Sequence, residues 1–318
     1  MNGIINVYKE PGFTSHDVVA KLRGILKQKK IGHTGTLDPD AAGVLPVCLG
    51  NATRVCDLLT DETKEYEALL RLGVTTDTYD LSGRILSEEP EKAGSVTKED
   101  LENVLRSFTG TIDQIPPMYS AIKVGGKKLY ELARKGIEVE RKARSVRIEK
   151  LELLSGSAPL FRLRIVCSKG TYIRSLCHDI GQTLGCGGAM AELLRTRVGG
   201  FCVDDAVKLS VIEEKIREMG RIPEELSDLG LGNAALSVDR LFCGYGYSPV
   251  RTKEEYDKLL HNGNPLREEM IVRLPADFEK DPDPGNFRVY DSRGLFLGIY
   301  GYGSGQKVLY PVKLFLQQ

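Results

Sequence analysis

The sequence predicts an α+β protein of two domains, and three observations carry that reading. Period-two strand patterns and helical spacings both occur, without regular strand–helix–strand alternation. The chain has 318 residues, more than one hydrophobic core usually organises. After about Asp239 the pattern turns to short strands with Gly-bearing turns, as in a small β-barrel. The predicted domains are therefore residues 1–240 and 241–318.

In chain order, "PGFTSHDVVAKLRGILKQ" reads as a turn and then a helix. Thr14 and Asp17 form a capping-box pattern, and Val18, Leu22, Ile25 and Leu26 recur at helical spacing. "KEYEALLRLGV" alternates, with Tyr66, Ala68, Leu70 and Leu72 on one side, and predicts a strand. "VTKEDLENVLRSFTG" predicts a helix with a Gly stop. In "APLFRLRIVCSKGTYIRSLCHDIGQTL" a strand with Phe161, Leu163, Ile165 and Cys167 on one face leads through Ser-Lys-Gly into a helix. The last region, a short helix in "TKEEYDKLLHNG" and then "FRVYDSRGLFLGIYGYGSGQKVLYPVKLFL", supplies the barrel-like strands.

A hydrophobic content of 41% and a charged content of 28% fit a globular protein, and no apolar run reaches membrane-span length. The opening "MNGIINVYKEPGF" lacks a secretory pattern. Seven cysteines without a C-x-x-C pair argue for reduced thiols in a cytoplasmic protein, against a disulfide framework or zinc ribbon. Net charge is zero, yet five Lys/Arg and no acid lie between Val18 and Leu37. Ten Lys/Arg against four Glu lie between Lys123 and Lys150. Such stretches present either a positive face to a polyanion or solvated helix faces.

The stretch "GHTGTLDPDAAGVLP" places Asp38 and Asp40 around a proline, with little to build core or helix. Pro39 drives Asp38 toward extended dihedrals, and Gly35 and Gly43 supply bends. Such a loop is either an ordinary Asp-Pro turn or a way to hold one carboxylate for chemistry. Asp-Pro-Asp also matches the D-x-D of Mg²⁺-dependent aspartyl-phosphate hydrolases, which want a buried apolar strand before the nucleophile. Here the preceding "KIGHTGTL" is polar and Gly-rich. "CSKGTYIRSL" brings Tyr172 and Arg174 to a strand-to-helix junction, where an Arg can pair bidentately with a buried carboxylate or simply face solvent. Tyr66, with Lys64 nearby, is core, rim or functional; His33 is structural or a base-stacking group in a mobile loop. "GYGSGQK" and "GGKK" lack phosphate-loop spacing, and adjacent Cys177 and His178 form no metal pair.

Together these stretches resemble one family, the bacterial tRNA pseudouridine-55 synthases of the TruB type. The likeness runs through "NVYKEPGFTSHDVV", "GHTGTLDPDAAGVLPVCLGNATR", "KEYEALLRLGVTTDTYDLSG", "QIPPMYSAIKVGGKKLYELARKGIEVERKAR" and "SKGTYIRSL". "FRVYDSRGLFLGIYGYGSGQKVLYPVKLF" resembles the family's PUA-type RNA-binding domain. The resemblance implies a mixed-sheet core with a central cleft and an RNA-gripping insertion near Pro116–Arg144. It makes Asp38 the catalytic aspartate, Tyr66 the tyrosine stacked on the target uracil, and Arg174 the partner of Asp38. His33, Lys64 and Tyr172 would contact substrate and Leu193 would line the pocket. The implied substrate is the tRNA T-arm stem-loop, with no membrane and no protein partner evident. The isomerisation needs no cofactor or metal, since nothing is oxidised and no group is brought in. Departures are Asp40 and Ala42 in place of Leu and Thr, and Gly200 where Pro is common. The alternatives are the Mg²⁺-dependent phosphatase on Asp38 and Asp40, and a non-catalytic RNA-binding or folding protein.

Overall fold

The computed structural model describes residues 1–273, 285–303 and 307–316. Ten strands form the main sheet: β1 (Gly3–Lys9), β2 (Ile31–His33), β3 (Ala42–Leu49), β4 (Lys64–Leu72), β5 (Gly110–Gln114), β6 (Arg144–Ser157), β7 (Leu160–Cys167), β8 (Gly188–Val198), β9 (Phe201–Cys202) and β10 (Ala235–Leu236). Their order is β10–β1–β3–β8–β4–β7–β6–β5, with β2 added to β3 and β9 to β8. β3 and β8 run parallel and the other pairs antiparallel, so the sheet is mixed.

Local sequence explains several elements directly. Helix α1 (Ser15–Leu26) starts at the Thr14–Asp17 capping box and buries Val18, Val19, Leu22 and Leu26 against Ile5, Val7 and Leu45. β4 buries Lys64, Tyr66, Ala68, Leu70 and Leu72, every second residue. Phe161, Leu163 and Ile165 of β7 join this face, and helix α2 (Ile173–Thr183) closes it with Ile173, Leu176 and Ile180.

Three features depart from the sequence reading. The Asp-rich stretch does build core, since Val44, Leu45, Val47 and Leu49 of β3 are fully buried. Gly43 permits it: at φ +110°, a Cβ there would lie 2.2 Å from the Arg195 carbonyl oxygen, so only glycine lets β3 approach β8. His33 ends β2 instead of sitting in a loop. β8, absent from the periodicity reading, lies between β3 and β4, and bulges after Met190 and after Arg195 break its alternation.

Residues 116–144 form an excursion between β5 and β6 with a hairpin (123–124 with 127–128) and a short helix, Leu129–Ala133. Met118, Leu129 and Leu132 give it a small core of its own. The C-terminal region is a curled five-stranded sheet made of β11 (Ser248–Arg251), β12 (Leu266–Arg267), β13 (Asn286–Tyr290), β14 (Phe296–Gly303) and β15 (Val308–Leu314), in the order β11–β13–β14–β15–β12. β14 and β15 pair antiparallel on either side of "GYGSGQK", whose 304–306 segment lies outside the described residues. Ile299 and Phe315 pack with Phe242, Ile4 and Cys48, so this sheet shares a core with the main one. Among the described residues no helix is long and apolar enough to cross a membrane.

Candidate active site

The loop between β2 and β3 is held mostly by hydrogen bonds to its main chain. Ser15 Oγ accepts from the Leu37 N–H at 2.9 Å. The fully buried Lys9 ammonium donates to the carbonyls of Pro39 (2.8 Å) and Phe13 (2.6 Å). Gly12 N–H donates to the same Pro39 oxygen at 3.0 Å, and Arg195 Nη2 to the Gly35 carbonyl at 3.3 Å. Asp38, just before Pro39, is thereby fixed while its side chain stays 35% exposed. The loop is shaped by backbone constraint, as its composition predicts.

Arg174 is the second residue of α2. The buried Gln114 side chain sets the entry to that helix, accepting from Tyr172 N–H at 2.7 Å and donating to the Tyr172 carbonyl at 3.0 Å. The guanidinium, 6% exposed, grips Asp38 by both oxygens: Nε to Oδ2 at 2.9 Å and Nη2 to Oδ1 at 3.0 Å. Its remaining donors go to the carbonyls of Thr78 (3.2 Å) and Tyr119 (2.9 Å), with the Asp80 carboxylate 3.6 Å away. Burial raises the Asp38 carboxyl above its ordinary range; Arg174 pulls it down and Asp80 pushes it up. The pull expected of Arg174 is present, but desolvation outweighs it. Solvent reaching the exposed third of the side chain softens the rise.

Tyr66 (8% exposed) and Leu193 (9%) belong to one apolar cluster with Leu37 and Ala41 from either side of Asp38. Burial raises the Tyr66 phenol above its ordinary value, against a downward pull from Arg195, so the ring is a neutral apolar wall at neutral pH. Tyr172 precedes α2, and its phenol is likewise raised by burial. His33 accepts from Gly35 N–H through Nδ1 at 3.3 Å, and its ring meets His16 edge-on at 5.7 Å. Burial holds His33 below the ordinary imidazole value, in its neutral form. Lys64 is buried, and its ammonium donates to the carbonyls of Thr60 and Glu62 at the end of the short helix Cys56–Asp61. Desolvation lowers it to about 8.

Four groups around the site escaped the sequence reading. Asp80 sits in the Thr-rich turn "TTDTYD", which has no periodic signal. Lys9 carries no periodic signal, although a Lys two residues before Pro-Gly is poised to bind a turn's carbonyls. Arg195, 1% exposed, donates to Val44 O at 2.8 Å and stands opposite Tyr66 across β8–β4. His16 falls within a helix whose other signals are all structural. Asp40 is exposed, and no cluster of three or more His, Cys, Asp or Glu able to hold a metal occurs among the described residues. Asp38 follows a three-residue strand and a polar turn, the wrong setting for a phosphatase nucleophile.

Comparison with known proteins agrees with this geometry. The family model for the N-terminal domain of TruB family pseudouridylate synthases matches residues 23–173, and that for the tRNA pseudouridylate synthase B C-terminal domain matches residues 174–229. A tRNA pseudouridine synthase B of Lachnoclostridium phytofermentans is 51% identical, covering 99% of this chain and 100% of its own length. One of Clostridium perfringens is 43% identical, covering 94% of each chain. Among solved structures, an H/ACA ribonucleoprotein bound to a substrate RNA containing 2′-deoxyuridine superposes with a TM-score of 0.68 at 25% identity, covering 99% of this chain and 85% of that one. A Cbf5–Nop10–Gar1 complex gives 0.68 at 28% identity, over 98% of this chain and 84% of that one. With its whole length aligned to such relatives and Asp38 gripped by Arg174, the chain belongs to the TruB family of pseudouridylate synthases.

Proposed function

We propose that this chain isomerises a uridine in the T-arm stem-loop of tRNA to pseudouridine, with Asp38 as nucleophile. The observation that carries the reading is the Asp38 carboxylate, held by both oxygens on Arg174 and still open to solvent. In the reaction the N1–C1′ bond breaks, a C5–C1′ bond forms, C5 loses its proton and N1 gains one. An ionised carboxylate can begin it by attacking either C1′ or C6. Arg174 keeps the carboxylate aimed and favours its charged form against desolvation. The uracil, flipped from its stack at roughly a few kcal/mol, would lie on Tyr66 with Leu193 beside it.

His33 and Tyr172 flank this pocket as substrate contacts, and Lys64 contributes positive charge from behind it. The basic 116–144 excursion would grip the RNA backbone, and the C-terminal sheet would act as a PUA-type RNA-binding domain. On this reading residues 1–240 form the catalytic domain, with its cleft over Asp38, and 241–318 the second domain. The protein would work where tRNA is found, in the cytoplasm.

A T-arm stem-loop tritiated at uracil C5 tests the reading. Wild type should release tritium with or without EDTA, and Asp38→Asn should release none. RNA that binds wild type without releasing tritium would sink it. Mg²⁺-dependent, EDTA-sensitive phosphate release by a protein that frees no tritium would favour the phosphatase chemistry instead.

A further inference from the structure

Arg174 is held from behind by a short turn, and that turn contains a strained residue. Tyr79 adopts φ +64°, a left-handed conformation that a bulky aromatic residue rarely takes. Such a conformation persists only where the surroundings impose it. The residues on either side of Tyr79 carry the groups that meet Arg174. The Thr78 carbonyl accepts from Nη1 at 3.2 Å, and the Asp80 carboxylate lies 3.6 Å from the same nitrogen. The Tyr79 ring lies flat on His178, with centroids 4.0 Å apart and planes at 14°. His178 follows Arg174 by four residues, so both project from one face of α2, a turn apart. Its Nδ1 is buried with no hydrogen-bond partner among the described residues, so that nitrogen does nothing to orient the ring. On its other side the turn is tied to β8, with Met190 N–H donating to the Tyr79 carbonyl at 3.0 Å and Leu81 N–H to the Met190 carbonyl at 3.2 Å.

We propose that the Tyr79–His178 stack is a positioning device that holds the Thr78 carbonyl and Asp80 carboxylate against Arg174, and so fixes the guanidinium that aims Asp38. The ties to β8 anchor the turn to the sheet. Within the turn the Asp80 carboxylate accepts from Thr78 Oγ1 at 2.7 Å and from the Ser82 N–H and Oγ at 3.0 and 2.6 Å, so the turn acts as a unit, and the stack sets how closely that unit stands against the guanidinium. The inference rests on the reading of Asp38 and Arg174 as the reacting pair.

The test is single-turnover tritium release from the C5-tritiated stem-loop, with RNA affinity and thermal midpoint measured alongside. His178→Ala and Tyr79→Gly should each slow release by about tenfold, as small misplacements near reacting groups do, while RNA affinity stays within about twofold. Tyr79→Gly relieves the left-handed strain, so a slow but stable Tyr79→Gly separates positioning from folding. Tyr79→Phe and His178→Phe keep flat rings and should recover most of the rate. In an Asp80→Asn background the His178→Ala loss should shrink below about threefold, because residues acting as a unit are not additive. Wild-type rates in both ring-deleted variants, or an undiminished loss in Asp80→Asn, would overturn the proposal. Absence of tritium release from bound RNA by wild type would instead overturn the isomerase reading beneath it.

Discussion

At the scale of single residues, Asp38 is subject to opposed influences whose signs can be checked separately. Burial and Asp80 favour its protonated form, and Arg174 favours the carboxylate. The net direction is upward, so on acidification the ionised fraction should fall at a higher pH than for an ordinary aspartate. A carboxyl ¹³C titration of Asp38 should give a raised midpoint, and Asp80→Asn should lower it, since one negative neighbour is removed. A midpoint that rose in Asp80→Asn would contradict this electrostatic account. Lys9 has the opposite problem, a cation taken out of water, and desolvation lowers it from 10.5 to about 8. Between those two pH values this lysine is protonated in the unfolded chain and neutral in the folded one, so its contribution to stability increases with pH. Lys64, also lowered to about 8, adds to the same window. The buried Cys167 and Cys177 thiols, raised from 9.0 to about 12, act in the opposite sense above about pH 9. The lysine contribution is therefore read by difference: in urea unfolding the stability of wild type relative to Lys9→Met should rise from about pH 8 to 10. Lys9→Met should also slow tritium release, since the carbonyls of Phe13 and Pro39 lose their shared donor beside Asp38.

At the scale of elements, the decisive contact is the approach of β3 to β8, which carries the chain out of the Asp38 loop beside Arg195. Gly43→Ala would put a methyl 2.2 Å from the Arg195 carbonyl oxygen at φ +110°, so the strands must part. We expect about 3 kcal/mol of destabilisation by urea unfolding, from strain and overpacking together. A loss under about 1 kcal/mol would mean the sheet yields easily there. This contact also marks how far the sequence could be read. β4, β7 and α1 were legible because alternation and a capping box are local signals. β8 was not, because two bulges shift its register midway, and β3 was hidden by the glycines that make it possible. Asp38 could be singled out from Pro39 and its flanking glycines. Its partner lies 136 residues along the chain, and the pairing came from resemblance, since no local spacing encodes it. Asp80, Lys9 and Arg195 were missed because each acts through contacts distant in sequence.

At the scale of the whole molecule, zero net charge conceals a division between the proposed reacting centre and the surface expected to hold RNA. The 116–144 excursion has a core apart from the main sheet, and it meets the site through the Tyr119 carbonyl on Arg174. Its hairpin turns on Gly125 and Gly126 at φ +57° and +81°, the two positive values a type I′ turn requires. That turn pairs Lys123 with Lys128 and Val124 with Lys127, which groups three lysines on one projecting tip. Arg174 and Asp38 make no contact with these lysines, so binding and chemistry should separate on mutation. Replacing Lys123, Lys127 and Lys128 by Gln should weaken T-arm RNA binding and flatten the slope of log affinity against log salt by about two, near 0.7 per released counterion. Tritium release at saturating RNA should stay within about twofold of wild type, because the Asp38–Arg174 geometry is untouched. An unchanged salt slope would place the RNA path away from this hairpin and shift the search to the basic run between Val18 and Leu37. A collapse of the saturated rate with the slope intact would show instead that the hairpin acts on the chemistry, through Tyr119 and Arg174.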